Sequence, residues 1–132
     1  MTDQDTPPSL AKRLVNCRHF RWLPGMLVRY GDGKAWYRLT DGDGFGMPFK
    51  HVPPNPRDAW PDLTDPATLG CLLALAREAW GNLRLVAIYC EAANPGQSEG
   101  WAVQVADNRL PVPGEDYATE AEALVAALEA AP

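Results

Sequence analysis

Few side chains in this 132-residue chain are of types that do covalent chemistry, and none stands in a spacing that demands it. The nucleophile and base candidates are Cys17, Cys71, Cys90, His19, His51, Ser9 and Ser98. A thiol–imidazole pair could be drawn from Cys17 with His19 or His51, but nothing in the sequence requires the two to meet. Ser9 stands at a helix start and Ser98 in a loop, poor places for an activated hydroxyl. No C-x-x-C or H-x-x-x-H occurs, and a lone C-x-H is a weak zinc signature, so no metal is expected. Cys71 among Gly70, Leu72 and Leu73, and Cys90 after Ile88 and Tyr89, read as small core residues. Asp41-x-Asp43-Gly44 opens like a calcium loop but lacks the remaining ligands, and reads as a β-turn. Gly42 and Gly44 precede no helix and so form no phosphate loop. Glu115-Asp116 has no partner for acid–base work. The chain reads as a non-enzyme without cofactor.

Binding chemistry is better represented. No acid occurs between Asp5 and Asp32, whereas Lys12, Arg13, Arg18, Arg21 and Arg29 all fall there, with His19 among them. Two apolar runs, Met26–Tyr30 and Ala35–Leu39, flank the turn Gly31-Asp32-Gly33-Lys34 and predict a hairpin. A four-residue turn sets Tyr30 opposite Ala35 and Arg29 opposite Trp36. Met26, Val28, Tyr30, Ala35, Tyr37 and Leu39 then share the core face, and Leu27, Arg29, Trp36 and Arg38 the other. Arg29 can stack there on Trp36. With Arg18, Arg21 and Trp22, these side chains are the candidate binding residues, of types favoured at interaction hot spots. The plainer reading is a solvated face on which arginine stems shield tryptophans.

The net charge of −5 divides unevenly. Residues 1–60 carry nine Lys/Arg and six Asp/Glu, and residues 61–132 carry three and eleven, so a +3 half precedes a −8 half. The acids of the C-terminal half read either as a solvated helix face or as a surface for a basic partner. An overall negative charge excludes an indiscriminate nucleic-acid binder.

The elements that must position these groups follow from local signals. Residues 1–8 read as a mobile tail and Ser9 as the cap of a short helix to about Val15. A weak third strand is expected at Phe45–Phe49. Pro53, Pro54, Pro56 and Pro61 mark 53–61 as a linker without regular structure. Asp65-Pro66 starts a helix that runs through Trp80 and stops at Gly81. It is apolar nearly all round, which predicts burial on several sides at the centre of the fold. Leu83–Cys90 and Trp101–Ala106 form an antiparallel pair, and Leu110–Tyr117 reads at best as an edge strand. Thr119 and Glu122 make a capping box for a last helix whose apolar face is Ala121, Leu124, Val125 and Leu128. The class is α+β: an antiparallel β-meander plus a helix–hairpin–helix unit packed on a central apolar helix, as one domain over 9–132.

Length, 46% hydrophobic and 22% charged residues suit one globular domain. No run approaches the ~20 apolar residues of a membrane span. The start of the chain carries no export signal and the cysteine count is odd, so reduced thiols in a cytoplasm are expected. From Pro66 the order helix, strand, strand, strand, helix matches double-stranded RNA-binding domains in outline. Glu120 and Glu122 stand where that fold places cations, so the function would be repelled.

Three segments carry a resemblance: Cys17–Leu27 (CRHFRWLPGML), Pro61–Leu75 (PDLTDPATLGCLLAL) and Thr119–Leu128 (TEAEALVAAL). Together they resemble a family of small uncharacterised proteins of tailed phages and prophages, over roughly a third of the chain. The family lends no site residue. It implies a phage accessory product acting in the host cytoplasm, where such proteins bind and inhibit a host or anti-phage defence protein. A second expectation is a sponge for an anionic signalling nucleotide, stacked on Trp36 or Trp22. A third, weaker one is single-stranded nucleic-acid binding.

Overall fold

The computed structural model describes residues 7–30, 35–39, 59–91, 94–96, 99–105, 108–109 and 117–132. Contacts divide the chain into two compact units, residues 1–16 with 20–71 and residues 17–19 with 72–132. The fold is α+β.

In the first unit, α1 (Pro7–Val15) starts two residues ahead of Ser9. The first amides of a helix have no helical acceptor, so prolines there cost no hydrogen bond and the helix takes in Pro7 and Pro8. Leu10, Ala11 and Leu14 are buried, while Lys12 and Arg13 are exposed. Strands β1 (Leu27–Tyr30) and β2 (Ala35–Arg38) pair antiparallel with Arg29 opposite Trp36 and Tyr30 opposite Ala35, the register read from the sequence. The stretch taken for a linker ends instead in β3 (Ala59–Pro61), which pairs with β1 on its other side. Pro61 is tolerated because it closes an edge strand, where a missing amide breaks no ladder. Asp62 N then donates to Leu27 O at 2.8 Å, carrying the pairing one residue further. Among the described residues the sheet order is therefore β2-β1-β3. The strand expected at Phe45–Phe49, His51 and residues 53–58 lie outside the described residues, as do residues 1–6.

Met26, Val28 and Leu39 are buried as the alternation requires, but so is Leu27, which was expected outside with Arg29. The start of α2 (Pro66–Trp80) explains it: Leu27 N donates to Thr68 Oγ1 at 2.9 Å, and Thr68 is fully buried. Asp65 caps this helix as its position before Pro66 predicts, accepting from Thr68 N at 2.9 Å. Gly81 ends it at φ +63°, the left-handed conformation that favours glycine. The helix is not buried all round. Ala67, Gly70, Ala74 and Glu78 form an exposed stripe at helical spacing. Three of these four solvent-side positions are small residues instead of charges, which is why composition alone suggested full enclosure.

In the second unit, β4 (Leu85–Cys90) and β5 (Gly100–Val105) pair antiparallel from Leu85 opposite Val105 to Cys90 opposite Gly100. β4 begins later than the apolar run because Asn82 Oδ1 accepts from Arg84 N at 2.8 Å, a local turn that leaves Leu83 83% exposed. Two residues, β6 (Asn108–Arg109), return along β5. Of the edge strand expected at 110–117, residues 110–116 lie outside the described residues. Tyr117 bridges to Trp101 through N–H···O bonds of 2.8 and 3.0 Å. The most enclosed helix is α3 (Glu120–Ala130), packed on β4 and β5. Ala123 and Ala127 are buried along with the predicted Ala121, Leu124, Val125 and Leu128.

Both ends of α3 are finished by hydrogen bonds. Thr119 Oγ1 accepts from Glu122 N at 3.1 Å and donates to Glu122 Oε1 at 3.1 Å, the expected capping box in a hydroxyl-to-carboxylate form. At the other end Trp80 Nε1 donates to Ala127 O at 2.8 Å, and Arg18 donates to Ala131 O at 3.2 Å. Each satisfies a carbonyl that the helix leaves without a partner. Thr119→Ala is expected to destabilise the protein by about 1 kcal/mol in urea unfolding. A change within a few tenths would show that the cap contributes nothing.

Candidate functional site

The two arginines of the first hairpin reach back to acids at the start of α2. Arg29 Nε donates to Asp62 Oδ2 at 2.9 Å. Arg38 grips Asp65 with both ends of its fork, at 2.9 and 3.0 Å, and donates to Gly25 O at 2.7 Å. Gly25 holds φ +100°, which places that carbonyl where a β-carbon would be strained. The carboxylates are the hidden partners, with side chains 10% and 12% exposed against 32% for Arg29 and 44% for Arg38. Each guanidinium is thus a surface group held from behind.

The acids are fixed in turn. Burial alone would raise the Asp62 carboxyl, but the Thr64 hydroxyl and amide (2.6 and 2.9 Å) and Arg29 outweigh it and hold it below the ordinary range. For Asp65 the Arg38 hydrogen bonds come first, opposed by burial and helped by the Thr68 amide and hydroxyl, and the carboxyl falls to about 2. Arg38 is raised correspondingly. Thr68 also accepts from Leu27 N, so one chain of bonds runs from the β1 backbone through Thr68 and Asp65 to Arg38.

Of the six predicted site residues, Arg29, Trp36 and Arg38 share one face of the hairpin by register. Trp36 is placed by its backbone alone, its side chain lying outside the described residues. Arg21 is exposed, and Trp22 is half-buried, edge-on to Phe20 with ring centroids 5.2 Å apart. Arg18 falls in the second unit, engaged with Ala131 O. The first unit carries eight Lys/Arg and eight Asp/Glu, the second four and nine, so the +3 excess counted to residue 60 is cancelled within its own unit. Asp62 and Asp65 fell just beyond the dividing point.

No group of three His, Cys, Asp or Glu among the described residues could hold a metal ion. Cys71, half-buried with Sγ 3.5 Å from Pro24 O, is pushed up by burial, the opposite of an activated thiol. No described helix is long and apolar enough to cross a membrane.

Sequence reasoning missed a second surface, in the other unit. Tyr89 of β4 stands opposite Trp101 of β5, which stands opposite Tyr117, so three aromatic residues line up across the sheet. Tyr89 is 45% exposed and meets Trp101 edge to face, with centroids 5.7 Å apart. Its hydroxyl donates to Glu99, and that bond, with the nearby charge of Glu91, raises the phenol above its ordinary value. The signal was the hairpin register, which pairs Tyr89 with Trp101 once Cys90 is set against Gly100.

Comparison of the chain with protein-family models, with curated proteins and with solved structures finds no match to any of them.

Proposed function

We propose that the protein works by binding rather than by catalysis, as a phage accessory protein whose partner is a host or anti-phage defence protein in the bacterial cytoplasm. The contact surface is the hairpin face of Arg29, Trp36 and Arg38, with Arg21 and Trp22 from the preceding segment. One observation supports this most: both hairpin arginines are fixed by largely buried carboxylates yet remain 32% and 44% exposed. An arginine already held in place loses less side-chain entropy on contact, and arginine and tryptophan dominate interface hot spots.

The same ion pairs favour a protein over an anionic nucleotide. Each guanidinium already carries a compensating carboxylate, and Arg38 spends both ends of its fork on Asp65. A phosphate would have to displace these acids, whereas a protein surface can pack on the planar faces and stems. Single-stranded nucleic acid meets the same compensation.

A photo-crosslinking residue at position 36, in protein added to bacterial lysate, tests the reading against a control at Ala74 on the exposed stripe of α2. The expected result is one bacterial protein captured from position 36 and not from 74. Tryptophan fluorescence should stay flat against a nucleotide panel. Saturable quenching by a nucleotide, or no capture specific to position 36, contradicts the proposal.

A further inference from the structure

Two features of the second unit converge on one edge of its sheet. Leu83 and Tyr89, the large apolar side chains exposed among the described residues, flank and lie within β4. Among the described residues β4 itself pairs only with β5, and no described strand lies along its other edge. Its six residues, Leu-Val-Ala-Ile-Tyr-Cys, carry no charge to blunt that edge, although sheet proteins commonly protect such strands with charges, prolines or bulges. An apolar edge of this length is a template for an added strand.

The charge at one end of that edge says what kind of strand. Glu91 follows and Glu99 precedes the last pair of the β4–β5 register, Cys90 opposite Gly100, and both are exposed. Like charges brought to one end of a strand pair are unfavourable. Among the described residues neither has a cationic partner. Glu99 is held beside the aromatic row by the Tyr89 hydroxyl, and Tyr89, edge to face with Trp101 and 45% exposed, feels the charges of both acids. Aromatic faces with adjacent carboxylates attract a guanidinium or ammonium. The unit as a whole carries −5, which repels a second copy of itself and attracts a basic segment.

The geometry points to a docking site at this edge for an extended, Arg/Lys-bearing segment of a partner protein. The segment lies along that edge of β4, with a cationic side chain over Tyr89, beside Glu91 and the Glu99 carboxylate that the Tyr89 hydroxyl holds. Arg84, exposed at the opposite end of β4, orients it so that its cations gather at the Glu91 end. This site does not depend on the arginine face, which belongs to the other unit.

The test uses the full chain and a blocked six-residue peptide of alternating Arg and Val, against the same peptide with Gln for Arg. Expected amide shifts fall on residues 85–91 and 99–101. Affinity should drop about tenfold in the Gln peptide and again in Glu91→Gln/Glu99→Gln protein of unchanged Tm, since paired charges at contacts carry this much. Salt should weaken binding. Equal binding of the two peptides, shifts confined to other residues, or a double variant that binds as well as the parent would overturn the site. So would a concentration-dependent dimer with newly protected β4 amides, which would make the occupant a second copy.

Discussion

Asp65→Ala is expected to destabilise the protein by about 2–3 kcal/mol, and Asp65→Asn by about 1. Asparagine caps a helix nearly as well as aspartate, so the asparagine variant removes the charge and keeps the cap. Alanine removes the cap of α2, the two Arg38 bonds and the acceptor for the buried Thr68 hydroxyl together. Urea unfolding of both variants separates the contributions, and equal losses would show that the charge contributes nothing beyond the cap. The same carboxylate sets an acid limit. Its folded value of about 2 lies below the ordinary 3.8, so the stabilisation is full above about pH 4 and disappears as pH falls through 2. The difference corresponds to about 1–2 kcal/mol once the solvent exposure of Arg38 is discounted. Asp62, also depressed, adds to the loss in the same direction. In Asp65→Asn the drop in stability between pH 4 and 2 should shrink; an unchanged acid limb would assign it to other carboxylates.

Leu124→Ala is expected to cost more, about 3–4 kcal/mol. Leu124 is fully buried on α3, the helix with the fewest exposed positions, so truncation loses apolar burial and leaves a cavity. Leu73→Ala on α2, at a half-buried position, should cost about half as much. The order of these two losses tests which helix is the more enclosed. A larger loss at Leu73 would make α2 the more enclosed of the two.

Local signals were legible in the sequence because their causes are local. The β1–β2 register followed from a turn length and an alternation. Asp65-Pro66, Gly81 and the Thr119–Glu122 box followed from the chemistry of helix ends. What composition could not show was set by chain segments far apart. Arg29 and Asp62 are 33 positions apart and Arg38 and Asp65 are 27 apart, so the arginines looked uncompensated until the fold joined them. β3 was hidden because proline argues against strands everywhere except at an edge or a strand end. The stripe Ala67, Gly70, Ala74 looked like core because small residues carry no polar mark of exposure. The aromatic row of Tyr89, Trp101 and Tyr117 is spread over 29 residues of sequence and becomes a row only through pairing.

The central claim is that Arg29 and Arg38, fixed from behind by Asp62 and Asp65, present their guanidinium groups to a protein partner. Calorimetric titration of the partner captured at position 36, with parent protein and with Arg29→Lys/Arg38→Lys, tests it most directly. Lysine keeps both charges and their attraction to the acids but loses the planar fork. With Tm matched, the account predicts that affinity falls at least about tenfold in the double variant. Equal affinity would show that the arginines serve only the fold and that the partner is met elsewhere.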